Sequence, residues 1–135
     1  TRPWQHVLQP LDGYLHLGAR LMDQPEKFAD AWNFGPFPHE IEPVKTVVDK
    51  MIRYLGYGQW KDVSSQQNLH EVNLLTLDIT KAISKLNWKP LLSLDDTVRL
   101  TADWYKNYKT GIDMYELCIG QIEEYMERQE ETKLV

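Results

Sequence analysis

Prolines and glycines cut this chain into short pieces, and their placement limits what it can become. Pro10, Pro25, Gly35-Pro36, Pro38, Pro43 and Pro90 each forbid the interior of a regular helix, while Gly56 and Gly111 supply residues that end one. Between these breaks the apolar residues can be tested for period. Leu11, Tyr14, Leu15, Gly18, Leu21 and Met22 recur at three- and four-residue steps and predict a helix that starts at Pro10 and stops before Pro25. Val47, Val48, Met51, Ile52 and Leu55 predict a second helix from Val44, with Gly56 as a left-handed C-terminal cap.

Further along, Asp78 can cap a short helix whose inward face is Ala82, Ile83 and Leu86, stopped by Asn87 to Pro90. Ser93-Leu94-Asp95-Asp96 resembles a capping box with Asp in place of Glu. It opens a helix carrying Val98, Thr101, Trp104, Tyr105 and Tyr108 on one face and closed by Gly111. A last amphipathic segment from about Met114 to Arg128 groups Leu117, Cys118, Gln121, Ile122, Tyr125 and Met126, and residues 129–135 are expected to fray. Trp4–Leu8, Ala31–Phe34 and Trp60–Val63 have the length and residue types of short strands, and Ser64–Asn68 reads as a polar loop. About five helices with three or four short strands that do not alternate in βαβ units predict an α+β fold.

The 135 residues, 42% hydrophobic and 26% charged, fit one domain able to bury roughly two thirds of its unfolded surface without disulfides. A single cysteine, Cys118, excludes a disulfide framework and favours a reducing compartment, so a cytoplasmic location is expected. A net charge of −5 argues against a nucleic-acid binder, and no stretch approaches the roughly 18 apolar residues of a membrane span. Opening at Thr1 without methionine, the chain is expected to be a piece of a longer protein.

No Gly-rich phosphate loop is present, and Gly56-Tyr57-Gly58 follows a helix where such a loop would follow a strand. His6, His16, His39, His70 and Cys118 lack metal-ligand spacing, so no metal site is expected. Tyr105 and Lys109 match a Y-x-x-x-K spacing, but on an amphipathic face near a helix end they are expected to pack and not to relay protons. Arg2, beside a rigid strand and a proline-started helix, could present its guanidinium fork to phosphate oxygens.

Arg2-Pro3-Trp4-Gln5-His6-Val7 with Pro10-Leu11-Asp12-Gly13-Tyr14-Leu15 strongly resembles the R-P-W-Q-H-V-x-x-P-L-x-G-Y-L stretch of the CDP-glucose 4,6-dehydratase family. Extended short-chain dehydrogenases/reductases at large share only a looser R-x-x-x-H-V. Trp32-Asn33-Phe34-Gly35-Pro36, His70-Glu71, Leu77-Asp78, Lys81-Ala82, Leu86 with Trp88-Lys89-Pro90, and Thr101-Ala102-Asp103-Trp104-Tyr105 follow in the family's order. Asn87 stands where the family has Gly, and Val72 where it has Ala.

The resemblance implies a carboxy-terminal, nucleotide-sugar-binding portion, spanning 1–135 and lacking the Rossmann half, with residues 1–24 packed on that missing half. It implies that Arg2 contacts the substrate diphosphate and Glu71 the ribose hydroxyls, with His70, His6 and Gln5 as neighbours of the nucleotide. Related epimerases carry an Arg where this chain has Asn68, which leaves a second diphosphate contact open. The parent reaction oxidises glucose C4 with bound NAD, eliminates water across C5 and C6, and returns the hydride at C6. The family's NAD loop, its Tyr-x-x-x-Lys pair and its dehydration acid and base all precede this stretch, so no catalytic residue and no cofactor are expected here. CDP-glucose or CDP, the missing half and self-association through exposed apolar surface are the expected partners. A stand-alone binding or assembly module, or an enzyme for another nucleotide sugar, remains open, although Trp4-Gln5-His6 favours the CDP branch.

Overall fold

The computed structural model describes residues 1–63 and 75–133. Among them the architecture is helical: α1 (Leu8–Asp23), α2 (Pro25–Phe28), α3 (Val44–Leu55), α4 (Leu94–Tyr108) and α5 (Met114–Lys133), with a 3₁₀ turn at Pro38–Glu40 and a π-helical segment at Ala82–Leu86. The expected α+β fold is therefore wrong. The described residues contain no sheet, only an isolated antiparallel bridge between Arg2 and Glu42.

The reason is visible in where the extended segments send their polar groups. At Ala31–Phe34 the Ala31 amide donates to Asp30 Oδ1 (2.7 Å), and the Ala31 and Phe34 carbonyls accept from Lys81 Nζ (2.8 Å) and Gln5 Nε2 (3.0 Å). Side chains take the places a neighbouring strand would fill. Trp4 to Val7 turns on itself, with the Gln9 amide donating to the His6 carbonyl (3.1 Å), and feeds directly into α1. Strand preference in a sequence reports fit to a pleated surface, and among the described residues no such surface adjoins these segments.

Helix ends follow local chemistry more closely. Gly56 adopts φ 80°, ψ 5°, and its amide donates to the Ile52 carbonyl, closing α3 as expected. Ser93 and Asp96 form the reciprocal capping box at the start of α4. Asn87 takes the left-handed conformation at φ 56°, and Asp78 Oδ1 accepts from the Thr80 amide (2.9 Å). α1 begins at Leu8, before Pro10, which sits in the first turn where no intrahelical amide is needed. α5 runs past Arg128 to Lys133, and Gln129 is tied by its Nε2 to Asp12 Oδ1 at 2.6 Å.

Two apolar clusters hold these elements. Phe28, Phe34, Ala82, Leu86 and Trp88 form one, with Leu17, Leu21 and Trp32 packed against it. Leu92, Leu100 and Tyr125 form the other, with Leu8 and Leu91. Inward faces differ from expectation in detail: Ala82 and Leu86 are buried but Ile83 is exposed, and Val98 is buried while Tyr105 and Tyr108 face outward.

α1 has apolar residues on two sides. Gln9 and Gly13 are buried, and Leu17 and Leu21 join the first cluster. Leu11, Leu15 and Met22 lie on the other side, exposed, with Leu15 at 76% and Met22 at 90%, while Tyr14 is exposed but sets its ring edge-on against Phe34. The expected stripe is present, but most of it points away from the core.

Candidate functional site

The opening segment is fixed by its side chains. Trp4 Nε1 donates to the Glu42 carbonyl (3.0 Å), and the Arg2 amide reaches the same carbonyl (3.4 Å). Gln5 is held by its bond to Phe34, and its Oε1 is buried without a partner. His6 is buried, and its Nδ1 accepts from the Leu8 amide at 3.4 Å. A neutral ring accepting at Nδ1 carries its proton on Nε2. Burial lowers the His6 pKa, partly opposed by the charge of Glu124, so the ring is neutral near pH 7.

Gln5 and His6 share a cavity of about 360 Å³ with Thr101, Trp104, Tyr105, Cys118 and Gln121. The opening segment forms one wall, α4 and α5 the other. Among the described residues no carboxylate lines it, and its titratable groups are His6, Tyr105 and Cys118. Its aromatic and amide lining suits a planar polar group. Gln121 closes the floor by donating from Nε2 to the Leu100 carbonyl (2.9 Å).

Arg2 is not among the residues lining this cavity. Its Nη1 donates to the Thr1 carbonyl at 2.9 Å, and its backbone bridges to Glu42. His70 and Glu71, with Asn68, lie outside the described residues. Of the sequence-derived candidates, the structure thus brings Gln5 and His6 together and places Arg2 apart from them. Tyr105 and Lys109 do not meet as a dyad: Tyr105 packs edge-on against Trp104 (5.2 Å between centroids), and Lys109 Nζ donates to Tyr57 (3.1 Å). No group of acidic, His or Cys side chains among the described residues could hold a metal ion.

Two polar residues organise the region without having stood out in the sequence. Gln9, 0% exposed, accepts the amides of Leu91 and Leu92 on its Oε1, both at 2.9 Å. Asp12 accepts from Trp88 Nε1 (2.8 Å), Gln129 Nε2 (2.6 Å) and Tyr125 (3.3 Å). Burial first, then the Asp12 charge, raises the Tyr125 pKa and keeps that phenol a donor. Their only signal is position: each lies on the inner side of α1, where a lone polar group must find distant partners.

No family model matches the chain. A curated relative nevertheless matches most of its length. The relative is the CDP-glucose 4,6-dehydratase of Salmonella typhimurium (strain LT2), to which the chain is 37% identical over 125 residues, 93% of its own length. The chain spans 35% of that relative, and so corresponds in sequence to a stretch of a CDP-glucose 4,6-dehydratase. No helix among the described residues is long and apolar enough to cross a membrane.

Proposed function

We propose that this chain supplies part of the sugar-nucleotide pocket of a CDP-glucose 4,6-dehydratase, a cytoplasmic lyase of deoxysugar biosynthesis, and does not turn over substrate alone. The identity across 93% of the chain carries this reading. NAD and the catalytic groups belong to the remainder of the enzyme, against which the uncovered outer side of α1 would pack; separated from it, that side favours self-association.

Arg2 acts on the diphosphate, Glu71 on the ribose hydroxyls, and His70, His6 and Gln5 border the nucleotide. A guanidinium fork and a carboxylate are chemically suited to those two tasks. His6, neutral with its proton on Nε2, has a donor to offer a bound planar group. Titration calorimetry with CDP tests the assignment: Arg2→Ala and Glu71→Ala should each weaken binding about tenfold. Binding equal to that of the unaltered chain removes both residues from the site. Incubation of the chain alone with CDP-glucose and NAD should yield no 4-keto-6-deoxy product.

A further inference from the structure

A second groove, of about 400 Å³, runs between α1, the turn after the π-helical segment and the end of α5. It shares no lining residue with the cavity of Gln5 and His6. Its floor is apolar, built on Leu86 and Trp88, and its rim carries Arg20, Lys89 and Lys133. Six cations elsewhere on the described surface pair with carboxylates: Lys45 with Asp49, Lys50 and Arg53 with Asp95, Lys81 with Asp30, Arg99 and Arg128 with Glu124. The three at this groove have no ion pair or side-chain hydrogen bond among the described residues. Asp12 is the one carboxylate in the lining, and its oxygens already accept from Trp88, Gln129 and Tyr125, with His16 Nδ1 at 3.2 Å.

We propose that this groove binds a small multivalent oxyanion of diphosphate size. Three cations against one carboxylate, Asp12, around one concavity leave a local excess of positive charge, opposite in sign to the net charge of −5 on the whole chain. A compact anion carrying two or more charges relieves their mutual repulsion, and the concavity is large enough to admit it. A monovalent anion would not hold against solvent screening.

Calorimetry of the chain with inorganic pyrophosphate at low ionic strength should show saturable binding. Arg20→Ala with Lys133→Ala should weaken it at least about tenfold, while Lys61→Ala with Lys106→Ala, a pair of exposed cations outside the groove, should change it less than about twofold. Both pairs are exposed, so unchanged melting curves will show that folding is intact. The Trp88 indole N–H resonance should move on titration. Citrate, a multivalent carboxylate, serves as a second arm: equal binding widens the ligand class to multivalent anions in general, and weaker binding restricts it to phosphates. Equal weakening by both variant pairs, or no saturable heat up to about 10 mM pyrophosphate, overturns the proposal. Arg2→Ala should leave pyrophosphate binding intact whether or not it affects CDP; if it abolishes pyrophosphate binding, the groove is not the site.

Discussion

α1 and α3 both carry apolar stripes legible at helical spacing, yet the chain covers them differently. On α3, Val47, Val48, Met51, Ile52 and Leu55 are all half-buried, and α4 packs against the helix. Lys50, Arg53 and Tyr54 of α3 converge on Asp95 of α4 and fix that contact. On α1 the inner side is sealed, while Leu11, Tyr14, Leu15 and Met22 meet solvent. A periodic stripe therefore predicts a helix but does not say what covers it. The outer side of α1 has the chemistry of an interface, with Leu11, Leu15 and Met22 exposed among the described residues.

The inner side of α1 should be the more sensitive by far. Trp88→Ala would empty a site 1% exposed and remove a donor from Asp12, costing about 3–5 kcal/mol in chemical unfolding. Gly13→Ala comes next. A Cβ there would lie 2.6 Å from Phe34 Cγ, and that ring is already packed edge-on against Trp88 at 4.9 Å, so overpacking should cost about 1–3 kcal/mol.

Acid should act on the same end of the helix. The folded His6 ring has a lowered pKa, so protonation favours the unfolded chain. Its contribution to stability is whole above the ordinary histidine pKa of about 6.5 and is lost as pH falls from there toward the folded value. His6→Gln should flatten the fall of denaturation midpoint with pH in that window; an unchanged slope would place the acid sensitivity elsewhere.

On the α3–α4 side the effect should be smaller. Asp95 is pushed down to about 2, by its bond to Lys50 and then to Tyr54, but the carboxylate is well exposed and solvent screens it. Asp95→Asn should cost less than about 1 kcal/mol and should weaken the dependence of stability on salt.

What could be read in advance divides along the range of the interactions. The Gly56 cap and the Ser93–Asp96 box are set within a few residues, and sequence spacing was enough to place them. Ala31–Phe34 is not a strand because Gln5, Lys81 and Asp30 side chains satisfy its backbone in place of a partner strand, and Trp4–Leu8 is not one because it turns directly into α1. Asp12 and Gln9 were missed because their partners lie far along the chain, at Trp88, Gln129, Leu91 and Leu92. Gln5 and His6 stand out as site candidates only through family resemblance, since a buried glutamine and histidine look like ordinary packing without it.

The outer side of α1 decides whether this chain is one part of a larger enzyme. The segment of the Salmonella typhimurium relative that the match leaves uncovered can be expressed separately and titrated with this chain by analytical ultracentrifugation. The account predicts a complex that Leu15→Glu with Met22→Glu abolishes, while the melting midpoint of the chain moves by no more than the equivalent of about 0.5 kcal/mol. A complex that survives those two charges, or no complex with the unaltered chain, would contradict it.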